Sequence, residues 1–341
     1  MKRLINQVYK LIEPRKIQVS FENVDIRGGK VIVRPAYLSI CAADQRYYMG
    51  LRPKAYLQQK LPMALIHEAA GTVVYDAQSE FSVGDSVVLI PNTPTVTDDY
   101  VSENYLETAK FRASGLDGFM QEYVAMDRDR LISCNGLDPV VACVCELLSV
   151  AMHAVTTCLA HAHGRRDTIG IWGDGNLAYM TALLLRHVCP GSRLVVTGID
   201  PYKLGFFSFA HTVLAQDMPR DLTVDHAFEC VGGQGAESAI EQIISHIRPE
   251  GVVMLLGVSE RNVPLATRMV LEKGLHMIGR SRSGRQDFEN VLAALRNDAS
   301  LVSNISKILC RVMPVSNIKD ISEAFEQDIK TPFKTIMQWN V

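Results

Sequence analysis

The sequence predicts an α/β protein of two domains, a β-rich one and then a doubly wound parallel sheet. Three observations carry that expectation. Short β-branched runs bounded by Gly, Pro and Asp fill the first half of the chain. From Thr168 onward, strand-length apolar runs alternate with helix-length ones, the pattern of βαβ units. A glycine turn, Gly173-Asp174-Gly175, stands between the first of those strands and the helix that follows.

The elements follow in order. Lys30 to Arg34 (KVIVR), Gly71 to Tyr75 (GTVVY) and Ser86 to Ile90 (SVVLI) read as strands, the last fed by a turn at Val83-Gly84-Asp85. Residues 91–114 are polar and Thr-rich, which predicts a long surface excursion. The most apolar stretch, Val140 to Ala160, is interrupted by Glu146 and His153 and so does not read as a membrane span. Thr168 to Trp172 (TIGIW) is a compact strand, Leu177 to Val188 a helix, Arg193 to Thr197 a second strand, and Tyr202 to His211 a second helix. Val224 to Cys230 and Gly251 to Leu256 extend the alternation, and Gln286 to Arg296 reads as a further helix. The expected domains are 1–147, 148–284, and a tail, 285–341, that returns to the first.

A chain of 341 residues is long enough for about two domains with their own cores. Its formal net charge of -2 gives no global reason to expect nucleic-acid or acidic-membrane binding. The N-terminus lacks a signal-peptide apolar region, so a cytoplasmic protein is expected. Of the eight cysteines, Cys134, Cys143, Cys145, Cys158, Cys189, Cys230 and Cys310 mostly sit in apolar surroundings and read as small hydrophobes. Cys143-x-Cys145 is too closely spaced for a zinc-ribbon pair. Cys41 is the exception.

Cys41, the doublet His67-Glu68, and Glu146 precede the glycine turn. Singly, each has a plain reading: an inert buried thiol, or a hydrogen-bonded His beside a capping Glu. Glu146, within Val144-Cys145-Glu146-Leu147-Leu148, needs a partner, because an unpaired buried charge is costly. Cys, His and Glu together hold a tetrahedral Zn²⁺, and a glycine turn between strand and helix seats a dinucleotide pyrophosphate. A metal and a hydride carrier on one chain point to alcohol–carbonyl interconversion. The turn continues Asn176-Leu177-Ala178, and Ala is tolerated at the final position of this fingerprint. The second strand ends at Thr197-Gly198, where NAD enzymes place an acid, and Lys203 follows. A missing carboxylate and a nearby cation favour NADPH. Asp200 would take the NAD role if the strand ran two residues further.

The ordered set resembles the zinc-dependent medium-chain dehydrogenases, in their polyol branch, over nearly the whole chain. Cys41-Ala42-Ala43-Asp44 matches the family's Cys-x-Ser-Asp motif, and Ile66-His67-Glu68-Ala69-Ala70-Gly71 its Gly-His-Glu-x-x-Gly motif. Glu146-Leu147-Leu148-Ser149-Val150-Ala151-Met152-His153-Ala154 is similar to its Glu-Pro-Leu-Ser-Val-Ala-x-His-Ala segment. The resemblance implies a GroES-like catalytic domain with a Rossmann-type partner domain, and a homodimer. It implies one zinc per chain on Cys41 and His67, with Glu68 and Glu146 ligating directly or through water. It places the cofactor on Gly173, Asp174, Gly175, Asn176, Leu177, Thr197, Gly198, Lys203, Cys230 and Gly257. Two departures stand out. The family's relay serine is Ala43, so the proton must travel through Glu146 and water or through Tyr47 or Tyr48, and residues 91–114 lack the four cysteines of a structural zinc.

Within the branch, residues 39–48 and 61–68 look like the ribitol-5-phosphate dehydrogenases of wall teichoic acid and capsule synthesis. That likeness implies NADPH-dependent reduction of ribulose 5-phosphate, with Arg46 and Arg282 as candidates for the substrate phosphate. It also implies a cytidylyltransferase partner that makes CDP-ribitol. The rival readings are another zinc polyol or secondary-alcohol dehydrogenase using NAD, and a zinc-free dinucleotide-binding sensor.

Overall fold

The computed structural model describes residues 3–26 and 29–341, which form two compact units. The first takes in the chain up to Glu146 together with Ser283–Asn297 and Leu309–Val341; the second comprises Leu147–Arg282 and Asp298–Ile308. The tail therefore does not return whole to the first unit. Helix Ala299–Ile308 buries Leu301, Ile305 and Ile308 within the second unit, where the Asn304 carbonyl accepts the Tyr179 hydroxyl at 3.0 Å.

The first unit is built on a sheet whose main path runs Leu131–Ser133, Ser86–Leu89, Glu68–Asp76, Val31–Ser39, Lys334–Trp339, Leu309–Val315. The three strands expected from sequence are all present, two of them longer than read. Pro35 sits in Val31–Ser39 at a shift of register, where a missing N–H is tolerated. A hairpin absent from the sequence reading, Arg3–Glu13 with Lys16–Asp25, packs Val8, Leu11 and Ile17 into the core and leaves Ile5 and Phe21 exposed. Helix Ala42–Tyr48 follows the strand Val31–Ser39 and buries Asp44, Tyr47 and Tyr48.

The second unit holds a six-stranded parallel sheet in the order His211–Leu214, Arg193–Gly198, Thr168–Trp172, His226–Glu229, Val252–Leu255, His276–Gly279. This is the doubly wound order in which the first strand borders the fourth, and the ends of those two strands form a switch point for ligands. Helix Asn176–Val188 buries eight consecutive residues, Ala178 to Leu185. The helix expected over Tyr202–His211 is shorter. Asp200 caps Pro201–Leu204, Gly205 ends it, and the chain turns so that Val213 pairs with Thr197 in an edge strand. No helix among the described residues is long and apolar enough to cross a membrane.

Candidate active site

Sheet register brings the metal-capable side chains together. Ser39 pairs with Glu68 on one side and Ile336 on the other. Two residues later Cys41 caps the helix Ala42–Tyr48, while His67 lies just before the strand that Glu68 opens. A Cys41 sulfur, a His67 ring nitrogen and a Glu68 carboxylate oxygen lie within 4.8 Å of one another. Glu146, at the start of helix Cys145–His161, is outside that trio but places Oε2 4.0 Å from His67 Nε2.

The turn that aims His67 is held by backbone contacts. Ile66 has φ 68°, a left-handed conformation that a β-branched residue rarely adopts. Asp44 Oδ1 accepts the Ile66 N–H at 3.0 Å, and Asp44 Oδ2 accepts the Cys41 N–H at 3.3 Å. The same Oδ2 lies 3.3 Å from His67 Nδ1. A carboxylate on Nδ1 fixes the proton there and leaves Nε2 free to ligate, facing Glu146. On the other side, Gly118, Phe119 and Met120 donate N–H bonds to the carbonyls of Ala64, Ile66 and Leu65 at 2.7, 2.7 and 3.3 Å. A Cβ on Gly118 would stand 2.2 Å from the Leu65 oxygen, so this approach requires glycine.

Lys334 was not among the expected site residues. Its ammonium, 1% exposed, donates to both oxygens of Glu68 at 2.7 and 2.8 Å and to the Ile40 carbonyl at 3.1 Å. Burial pushes the Glu146 carboxyl up to about 7, with His67 opposing and Glu68 adding to the rise. Burial works against a charged His67, yet Asp44 and Cys41 carry it well above the ordinary histidine range. Carboxylates and a thiol thus crowd a buried imidazole in this pocket. A thiol, an imidazole and carboxylates in such a pocket are the donor set of a zinc site.

Tyr47 and Tyr48, offered as proton relays, are buried on the helix Ala42–Tyr48 with their rings packed on aromatic neighbours. Tyr48 stacks on Phe325 at 4.5 Å between ring centroids; Tyr47 stacks on Tyr56 at 6.2 Å and carries the Arg52 guanidinium 4.7 Å over its ring. Arg46 lies on the helix Ala42–Tyr48 in the first unit, whereas Arg282, at φ 58°, is an exposed residue of the second.

In the second unit a cavity of about 470 Å³ opens at the switch point. Gly173, Asp174, Gly175, Thr197, Gly198 and Cys230 line it. Gly173 has φ 130°, and a Cβ there would meet the Cys230 carbonyl at 3.0 Å. Gly175 faces open space and caps the helix that Asn176 and Leu177 begin, so amide N–H groups point outward for a pyrophosphate. Asp174 Oδ2 accepts the N–H groups of Ile199 and Asp200 at 2.8 and 2.9 Å. Gly198 is bare because a Cβ would lie 2.6 Å from that carboxylate. Asp200 spends its own carboxylate capping Tyr202 and Lys203, and Lys203 sits in that short helix outside the cavity lining. Gly257 packs on the Gly232 nitrogen, and both amides donate to the buried carboxylate of Glu229, as does Val231.

Comparison with known proteins agrees with this geometry. The alcohol dehydrogenase GroES-like domain family matches residues 27–136, and the zinc-binding dehydrogenase family matches residues 210–297. The chain is 47% identical to the ribulose-5-phosphate reductase of Bacillus spizizenii over 99% of this chain and 100% of that protein. It is 48% identical to ribulose-5-phosphate reductase 1 of Staphylococcus aureus, over 98% of this chain and 99% of that protein. The crystal structure of S. aureus TarJ in complex with NADPH superposes with a TM-score of 0.89 at 44% identity, covering 99% of this chain and 100% of that one.

Proposed function

The chain belongs to the ribulose-5-phosphate reductases of the zinc-binding dehydrogenase family, and on that premise we propose that it reduces D-ribulose 5-phosphate to D-ribitol 5-phosphate with NADPH. The observation that carries the reading is the cluster of half-buried Cys41 with buried His67 and Glu68 beside Glu146, in a chain that matches such reductases end to end. When bound, one zinc ion supplies Lewis-acid polarisation of the C2 carbonyl, and NADPH supplies the hydride. Cys41 and His67 would hold the metal with a carboxylate from Glu68 or Glu146. Asp44 orients His67 through Nδ1, and Lys334 holds Glu68. With Ala43 in place of a relay serine, water hydrogen-bonded to the Glu146 carboxylate brings the proton that completes the alcohol.

On the nucleotide side, the amides of the Gly173–Gly175 turn receive the pyrophosphate, with Asn176, Leu177, Thr197, Cys230 and Gly257 around them. Gly198 leaves room at the ribose, and Lys203 offers the cation for the 2′-phosphate. Arg46 and Arg282 are the candidates for the substrate phosphate. The product is the acceptor for cytidylyl transfer to CDP-ribitol in wall teichoic acid or capsule synthesis, so a cytoplasmic cytidylyltransferase is the protein partner. A homodimer suits the exposed Leu265, Met269 and Leu271 beside the edge strand His276–Gly279. The test is NADPH oxidation with ribulose 5-phosphate, ribulose and xylulose 5-phosphate side by side, repeated with NADH. Ribulose reacting as well as its 5-phosphate would return the chain to a general polyol dehydrogenase, because remote phosphate binding should raise turnover as well as affinity.

A further inference from the structure

Two cations and two phenols gather in the first unit, apart from the metal-capable trio. The Arg52 guanidinium lies 4.7 Å over the Tyr47 ring and 5.7 Å from the centre of the Tyr56 ring, and Lys60 Nζ lies 5.5 Å from that same Tyr56 ring. The two rings stack at 6.2 Å. Aromatic faces hold the cations in place, yet two like charges on one ring repel unless an anion joins them. The Lys60 ammonium makes no ion pair or hydrogen bond among the described residues. Tyr47 is 2% exposed, and its hydroxyl makes no hydrogen bond of regular geometry, although the Tyr56 and Ser114 hydroxyls come near it. A buried hydroxyl left unsatisfied is costly, and a ligand oxygen would satisfy it. Burial works against an ionised Tyr56, but the Tyr47 and Ser114 hydroxyls and the charges of Lys60 and Arg52 bring its phenol below the ordinary tyrosine value. Negative charge is favoured where these side chains converge.

The cluster adjoins the reacting centre. Tyr47 stands on the helix Ala42–Tyr48 that Cys41 caps, and helical side chains lean toward the N-terminus of their helix. A helix rises about 1.5 Å per residue, so Tyr47 begins roughly 9 Å beyond Cys41. The Phe111 ring packs 5.5 Å from the His67 ring, and the Phe111 carbonyl accepts the Ser114 N–H at 3.2 Å. One loop therefore touches both His67 and the phenols. The phosphate of a pentulose 5-phosphate lies at the chain end remote from its C2 carbonyl. We propose that Arg52, Lys60 and the Tyr47 hydroxyl form the site that takes that phosphate, with Tyr56 as the ring on which the two cations rest. This rests on the reading that a sugar phosphate is reduced here. It deepens that reading by naming a phosphate site within the first unit, besides Arg46 and Arg282.

The test uses Arg52→Gln, Lys60→Gln and Tyr47→Phe in the full chain, loaded with zinc and assayed with NADPH. Each should lower kcat/KM for ribulose 5-phosphate about tenfold, the loss of one charge-assisted contact, and the two charge variants combined should lose about a hundredfold. The preference for ribulose 5-phosphate over ribulose should collapse by the same factors. Inorganic phosphate should compete with ribulose 5-phosphate in the wild type and do so about tenfold more weakly in each charge variant. The Kd for NADPH, from fluorescence titration, should stay at the wild-type value. Lys60 is half-buried at the end of the helix Lys54–Lys60, so Lys60→Gln carries the test should Arg52→Gln fail to fold. If kcat/KM falls equally for ribulose and its 5-phosphate, the cluster serves packing alone and the proposal falls. It falls too if the preference survives both charge variants, or if NADPH binding weakens with them. Wild-type enzyme that reduces ribulose as readily as its 5-phosphate would overturn the functional reading itself, a result separate from the others.

Discussion

Substituting Gly118 by Ala probes how the His67 turn is held. The added Cβ would meet the Leu65 and Ile66 oxygens at 2.2 and 2.4 Å, and both are backbone atoms that cannot swing aside. The loop must retreat, stretching the bonds from Gly118, Phe119 and Met120 to Ala64, Ile66 and Leu65. A net hydrogen bond contributes about 0.5–1.5 kcal/mol, so losing two of the three should cost roughly 1–3 kcal/mol. For a domain of this size that is a fall in Tm of about 3–10 °C. Gly115 is the control in the same loop, since a Cβ there would meet only ordinary contacts at 3.7 Å. Thermal unfolding of the two variants, with and without zinc, gives the comparison. Gly118→Ala should melt early and bind zinc roughly tenfold or more weakly, because the turn that aims His67 is displaced. Gly115→Ala should change neither. If Gly118→Ala melts with the wild type and holds its zinc, the close approach does not support the site.

Other expectations follow from named contacts. His226 is buried with Nδ1 accepting the Val252 N–H and Nε2 against the Arg165 carbonyl, each at 3.1 Å, so a proton on Nδ1 has nowhere to go. Burial, helped by His163, holds its pKa down at about 4. The unfolded chain therefore takes up this proton first, and the stabilisation from neutral His226 is complete above about pH 6.5 and lost as pH falls toward 4. His226→Gln should lower stability at neutral pH, and the gap to wild type should narrow in acid melts; a constant gap refutes the assignment. Gly198→Ala should weaken NADPH binding about tenfold by displacing Asp174 from the Ile199 and Asp200 amides, and an unchanged Kd in fluorescence titration would contradict this. Lys203→Ala should erode the preference for NADPH over NADH, and unchanged efficiency with both cofactors would remove Lys203 from the 2′-phosphate site. Chelation should expose Cys41 to alkylation, with zinc protecting it. Burial pushes the thiols of Cys134 and Cys158 up to about 11 and about 12, so they should stay slow, and a fast thiol that persists in Cys41→Ser would overturn the claim.

The sequence reading reached furthest where one short segment carried several constraints. Thr168–Trp172, the glycine turn and the following helix were legible because strand length, turn chemistry and helix periodicity agree within about twenty residues. The Arg3–Glu13 and Lys16–Asp25 pair was missed because Lys and Glu interrupt its alternation, and its pattern appears only once the strands are paired. Tyr202–His211 has helix-like content, but Gly205 and the demand for a strand beside Arg193–Gly198 override it. Lys334 lay beyond local reading altogether. It meets Glu68 across 266 residues, through a register that only the folded sheet defines.

The carboxylates around the two sites show what contact geometry adds to residue type. Glu229 takes three amide N–H groups from the loops beside the nucleotide cavity, Asp174 takes two, and Asp44 takes two while touching His67. Glu68 has an ammonium on both oxygens. In each case the charge is used to fix backbone or a neighbouring side chain, which is what a rigid site requires of its surroundings. Glu146, at the start of helix Cys145–His161, is buried with its Oε2 4.0 Å from His67 Nε2, and burial lifts its carboxyl to about 7. From sequence, Glu68 and Glu146 were equivalent candidates. The contacts separate them: Glu68 is paired with Lys334, whereas Glu146 faces the His67 ring.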